Sequence, residues 1–296
     1  MVVKKTVGEK IFDFINIIFM LFVIIVTLYP MYYVLVCSIS DGAQLMGARG
    51  AILWPKGFSM SAYKAVAENP NIFTGYRTTL LVVTVGTTLS VFLTAMGAFV
   101  ITRKRFPLAL PLAYLMVFTM YFGGGMIPTF LVVNNLYKMQ NSLLALIIPH
   151  CITVYNLMVM KSNFQTIPDS LEEAAKIDGA SDFRVFFQII LPLSKSIIAV
   201  MVLYYGVHYW NAWFDAMMYI RDRTKYPLQL ILREILISNS GAASMADGGG
   251  AADSTHYIAQ SIKYATIMVS TLPILCLYPF IQKYFTKGIM IGAVKG

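Results

Sequence analysis

Apolar residues in this chain come in long blocks rather than at the spacing of a single helix face. Six blocks approach the ~20 residues that cross a hydrocarbon core about 30 Å thick. They predict spans over residues 11–36, 78–101, 108–133, 143–160, 196–220 and 264–284. Helices are expected throughout, because backbone in lipid must satisfy its own hydrogen bonds and no stretch shows the alternation of a barrel. Pro128, Pro149 and Pro273 fall within or at the ends of these blocks, where packed neighbours tolerate kinks. The fold class is an all-α polytopic membrane protein, read as one transmembrane domain over residues 1–296.

Composition agrees: of 296 residues 58% are hydrophobic and 12% charged, and the mean hydropathy is +0.68. A soluble domain carries about a quarter charged residues. The net charge of +9 raises nucleic acid as a partner, but no basic patch with interleaved aromatics accompanies it. Cations at loop ends near anionic lipid account for it instead. Cys37, Cys151 and Cys276 sit in or beside apolar runs without CxxC spacing, so they read as small core residues rather than a metal site. The block from Ile11 is too long for a signal-peptide core and no A-x-A site follows, so it reads as a retained span.

Placing the N-terminus inside puts Lys4, Lys5, Lys10, Arg103, Lys104, Arg105, Lys161, Lys176, Arg184, Lys195, Lys283, Lys287 and Lys295 on the cytoplasmic side. These are 13 of the 23 lysines and arginines, a modest bias carried mostly by the compact "RKRFP" turn. Both termini are then cytoplasmic. Two outer loops are long: residues 38–77 carry "LWPKGFSMSAYKAV", with aromatics suited to an interface. Residues 222–262 include "NSGAASMADGGGAADS", with too little apolar surface to order itself. No internal repeat stands out, which counts against the duplicated halves of many secondary transporters.

Between the fourth and fifth blocks, residues 161–195 interrupt the apolar pattern with "SLEEAAKIDGASDFRVFFQIILPL". Pro168 is expected to end the preceding helix. Ser170 and Glu173 have capping-box spacing, Glu172 and Glu173 suit a first turn, and Lys176 suits a last one. Gly179 is placed to end the helix in a left-handed conformation. A second helix from about Ser181 carries Phe183, Phe186, Phe187 and Ile190 as its apolar face, until Pro192 breaks it. A short rigid helix held between two spans, with an alanine pair that admits another backbone, is suited to docking.

The pattern Glu173-Ala174-Ala175, Gly179, Ile189, Leu191-Pro192 resembles the EAA loop of ABC importer permeases without gap or mismatch. The flanks "WNAWFDAMMYIRD", "YPLQLIL" and "GIMIGAVKG" resemble its carbohydrate-uptake branch. There they look like the shorter, maltose-permease-like subunit, in members served by oligosaccharide-binding lipoproteins. Ser196 departs from the proline often found there. The resemblance implies a type I importer permease fold with six spans in the bacterial cell membrane and a cytoplasmic coupling helix. Its contact with the ATPase would be formed by Glu173, Ala174, Ala175, Asp178 and Gly179, with Ile189, Leu191 and Pro192 behind it. Implied partners are a second homologous permease, two nucleotide-binding ATPase subunits, an extracellular solute-binding protein or lipoprotein, and a sugar or oligosaccharide. ATP and Mg would be used by the ATPase subunits, with no cofactor bound here. The C-terminal tail is a further candidate ATPase contact.

The chain has no phosphate-cradling G-x-x-x-x-G-K-[ST] motif. "GGGMIP" at 123–128 lacks the lysine and reads as close helix packing through small residues. In the fifth block, Trp210, Asn211, Trp213, Phe214 and Asp215 supply rings and polar groups of the kind that bind sugars. One continuous helix would set Trp210, Trp213, Phe214 and Met217 on one side, with Asn211 and Asp215 on an adjacent strip. The same residues also fit an interfacial aromatic belt, and Asp215 also fits a pair with Arg221 or Arg223. His150 and His208 lack metal-site spacing and read as lone packing residues. Other classes remain open: an ABC permease for a different solute, or an ion-coupled secondary transporter. A membrane enzyme is opposed by the lack of any catalytic set.

Overall fold

A computed structural model describes residues 6–48, 50–103, 106–245, 261–276 and 279. Among them there is no strand, and helices follow one another along the chain. Among the described residues two helices, Val7–Ser38 and Pro70–Thr102, are each long and apolar enough to cross a membrane, and the number rises to at most five if each of three bent pairs is one span.

The residues divide into two compact units, Met1–Asn69 with Glu234–Thr271 and Pro70–Arg233 with Leu272–Gly296. In the first, Val36, Cys37, Leu45 and Ile52 form a small core at the end of the opening helix. Ser40 ties that helix end to the loop: its hydroxyl donates to the Val36 carbonyl at 2.6 Å and accepts from the Lys56 amide at 3.1 Å. Asp41 caps the next turn by accepting from the amides of Ala43 and Gln44. Trp54 and Phe58 stay exposed at 77% and 71%, as an interface reading of this loop requires.

The second unit is built around the helices Pro70–Thr102 and Lys195–Trp210. Two buried tyrosines join them. The Tyr205 hydroxyl bonds that of Thr94 at 2.7 Å, and the Tyr209 hydroxyl bonds that of Ser90 at 2.8 Å. The same hydroxyls reach the break between Leu144–His150 and Val154–Phe164, which cross at 49°. Tyr209 donates to the Ile147 carbonyl at 3.2 Å and Tyr205 accepts from the Thr153 amide at 3.2 Å. With its one proton on Ile147, Tyr209 must accept from Ser90. A bend in lipid leaves backbone groups without partners, and here the neighbouring helix supplies them. Gly86 lets the tyrosine in, since a Cβ there would lie 2.8 Å from the Tyr209 ring.

Several expected spans are not straight rods. Residues 108–133 form Ala109–Tyr121 and Met126–Leu136, bent by 115°. The break is at Gly123–Gly125, with Gly125 at φ +84°. These glycines are exposed and, apart from a Gly124–Pro128 contact, face open space, so they turn the chain instead of packing helices closely. Residues 143–160 become the 49° pair, and 196–220 becomes Lys195–Trp210 and Trp213–Tyr219. Residues 70–77, expected in a loop, start the second helix. The expected loop at 222–262 begins with helix Leu228–Met245, because Leu228, Leu230, Ile231 and Leu232 supply buried surface. Helix Ser261–Cys276 covers the first part of the sixth block, and the rest, with the C-terminal tail, lies outside the described residues. Cys37 and Cys151 are buried as expected, while Cys276 is exposed near the end of its helix.

Tyr209→Phe removes the donor to Ile147 and the acceptor for Ser90, and should lower stability by about 1–3 kcal/mol. Gly86→Val should cost more, because it drives a branched side chain into the same ring. Thermal unfolding of the detergent-purified protein checks the order.

Candidate functional site

The segment between the fourth and fifth blocks folds as two short helices. Val154–Phe164 ends before the turn, and Pro168 precedes the next helix instead of closing the last one, since its fixed φ suits an N-terminus. The helix Asp169–Ile177 has Pro168 at its N-cap and no side-chain cap bond there, so the expected Ser170–Glu173 capping box does not form. Ser170 lies one residue inside the helix, too late to cap it.

The C-terminus behaves as expected. Gly179 has φ +79°, its amide donates to the Lys176 carbonyl at 3.0 Å, and the Ala180 amide donates to Ala175 at 2.9 Å. This paired closure is a Schellman motif, which needs a residue content with positive φ. Ala175 and Ala180 meet across it and pack on the core. Glu173, Ala174, Asp178 and Gly179 are exposed.

The neighbouring glutamates differ. Glu172 pairs with Arg103, each side chain 18% exposed, and with Lys176 at 3.0 Å. Lys176 also reaches Asp182 at 3.2 Å, joining the two short helices. Arg103 stands just beyond Pro70–Thr102, with its guanidinium 4.2 Å from the Phe99 ring centroid. Its Nε donates to the Phe99 carbonyl at 3.3 Å and its Nη2 to the Thr102 hydroxyl at 3.2 Å. Burial lowers its pKa from the ordinary arginine value, while Asp182 and Asp169 raise it. It stays a cation at physiological pH. A cleft of about 440 Å³ beside the pair is lined by Phe106, Asp169, Glu173 and Lys176 among others. Read from the chain alone, Arg103 is one of the loop cations, because its distance from Glu172 along the chain hides their contact.

The helix Asp182–Leu193 starts at Ser181, whose hydroxyl accepts from the Arg184 amide. Its buried face is Val185, Phe186 and Ile190, while Phe183 and Phe187 are 69% and 49% exposed. A π-helical turn over Phe186–Ile190 changes the residue spacing and sets this face apart from the one an α-helix predicts. Phe186 packs on Phe99 with ring centroids 5.1 Å apart. Ile189 and Leu191 are partly buried and Pro192 is exposed. The chain then bends by 83° at buried Ser194 into Lys195–Trp210, rather than breaking at Pro192.

The aromatic stretch of the fifth block is divided by its helix break. Trp210 is buried, edge-on to Tyr76 at 6.3 Å, and lines an apolar cavity of about 540 Å³ with Thr87, Phe92 and Val207. Its Nε1 and the Thr87 Oγ1 have no hydrogen-bond partner among the described residues. Asn211 ends the helix by donating its side-chain amide to the Val207 carbonyl at 2.9 Å. Beyond the break, Phe214 and Met217 are exposed and Trp213 is half-buried under the Arg233 guanidinium, 4.6 Å from its centroid. The break thus parts Trp210, at the end of Lys195–Trp210, from Trp213, Phe214 and Met217, which share the helix Trp213–Tyr219. Asp215 pairs with His150 at 3.0 Å rather than with Arg221 or Arg223. His150 and His208, expected to be solitary, have ring centroids 4.8 Å apart.

No protein-family profile matches the chain. It is 40% identical over 289 residues to the polygalacturonan/rhamnogalacturonan transport system permease protein YtcP of Bacillus subtilis strain 168, covering 97% of this chain and 99% of that one. It is also 40% identical over 292 residues to Protein LplC of the same organism, covering 99% of this chain and 97% of that one. Among solved structures, a bacterial ABC transporter involved in the import of the acidic polysaccharide alginate superposes with a TM-score of 0.84 at 27% identity. That match covers 95% of this chain and 99% of the other. The chain belongs to the permease family of ABC importers that carry sugars and polysaccharides, a family of integral membrane transport subunits.

Gly179→Ala forces a side chain into a left-handed residue and should cost roughly 1–2 kcal/mol, while Gly179→Asn should cost less. Thermal unfolding of the purified protein distinguishes them.

Proposed function

We propose that this chain is one of two permease subunits of a bacterial importer, moving an oligosaccharide into the cell by alternating access. The observation that carries the reading is the helix Asp169–Ile177. It is fixed to the body through Glu172 and Ala175 and turns Glu173, Ala174, Asp178 and Gly179 outward. That exposed face is the one an ATPase subunit would grip, with ATP and Mg bound by that subunit and not by this one. Six spans with both termini cytoplasmic are the arrangement we adopt. It agrees with Arg103 and Glu172 meeting on one side, where the cation bias also places the loops that hold them.

For substrate, one similar protein is named for polygalacturonan and rhamnogalacturonan and another for alginate, so acidic oligosaccharides are the first solutes to assay. Exposed Phe214 and half-buried Trp213 are the ring faces best placed for sugar contact. Trp210, Asn211 and Asp215 are the other candidates, held beside Tyr76, at the Val207 carbonyl and against His150 in turn.

The chain, co-expressed with a candidate ATPase subunit and a candidate second permease, should retain both in stoichiometric amounts on purification. Gly179→Asp should leave the protein in the membrane and lower ATP-driven uptake at least about tenfold. Uptake at the wild-type rate by a stably inserted Gly179→Asp variant, or uptake by the isolated chain without an ATPase, overturns the proposal.

A further inference from the structure

We infer that Arg103 is a positioning residue for coupling: it passes the displacement of helix Asp169–Ile177 directly into helix Pro70–Thr102 through Glu172. The inference rests on the reading that this short helix docks on an ATPase subunit.

The covalent routes out of the segment are both bends. On one side lies the turn before Pro168 and on the other the 83° corner at Ser194. A bend between rigid elements is where a load is absorbed as rotation. Arg103 offers a route without a bend. Glu172 holds it in a partly buried ion pair, and Lys176 ties Glu172 to Asp182, so both short helices move with that carboxylate. The guanidinium is in turn held at three points by its own helix end: the Phe99 carbonyl, the Thr102 hydroxyl and the Phe99 ring. Phe99 also touches Phe186, which adds an apolar contact beside the ionic one.

The receiving helix is not isolated. Ser90 and Thr94 bond Tyr209 and Tyr205, so Pro70–Thr102 and Lys195–Trp210 move as one body. Force entering at Arg103 therefore reaches the fifth block from behind, past the corner at Ser194. Only an arginine fits this role, because its planar fork serves a carboxylate, a carbonyl and a hydroxyl at once, whereas lysine is a single charged point. The two adjacent glutamates divide the work: Glu172 holds the transmission inside, and exposed Glu173 faces the partner.

The test uses the full complex, with both permeases, the ATPase subunits and the binding protein, in proteoliposomes. The quantity read is solute imported per ATP hydrolysed. Arg103→Gln and Glu172→Gln should each lower this ratio about tenfold, while the complex purifies intact. The double variant should be no worse than either single one, since both remove the same link. Arg103→Lys should give an intermediate ratio. An unchanged ratio in Arg103→Gln, additive losses in the double variant, or uptake and hydrolysis falling in proportion would overturn the inference. If the glutamine variants do not assemble, Arg103→Lys decides alone: a reduced ratio supports the inference and a wild-type ratio overturns it. Import by the unsubstituted complex without ATP hydrolysis would instead remove the functional reading beneath it.

Discussion

Two phenolic hydroxyls hold the second unit together. Tyr205 and Tyr209 bond Thr94 and Ser90 on one side, and on the other they satisfy the backbone that the break before Val154 leaves open. Buried as they are, each of those groups would be costly to leave unpaired. The bend in one span is thus stable only because another span carries two tyrosines one helical turn apart. That bend, in turn, sets His150 against Asp215 beyond the break in the next span.

The interrupting segment depends on this frame. Its short helices have little buried surface of their own, and they hold their place through Ala175, Val185, Phe186 and Ile190 on the core and through Glu172 on Arg103. A rigid support on one face and solvent on the other is what a docking element needs. Permeases of the family to which the chain belongs partner with ATPase subunits, and under the proposed function this segment is where such a subunit would dock.

Much of this was legible in the sequence. Apolar block lengths marked out helical regions, and the Gly179 turn follows from a local rule that needs no distant partner. The motif at Glu173–Ala175 was carried by resemblance. What the residues alone did not disclose were the bends and the pairings. A break such as that at Asn211 keeps the hydropathy of a straight helix, yet it puts Trp213 and Phe214 on a different helix from Trp210. The π-turn at Phe186 alters the spacing in the same silent way. The Arg103–Glu172 and His150–Asp215 pairs join residues far apart in the chain, and no local pattern marks such partners. The capping box failed because Pro168 had already opened the helix.

The glycine break in the third block also bears on how that block is built. Ala109–Tyr121 is 13 residues long, roughly 20 Å of helix, and so falls short of the bilayer core by itself. Met126–Leu136 is shorter still. Neither half reaches across the core alone, so the glycine turn makes the two halves one structural unit whose parts depend on each other.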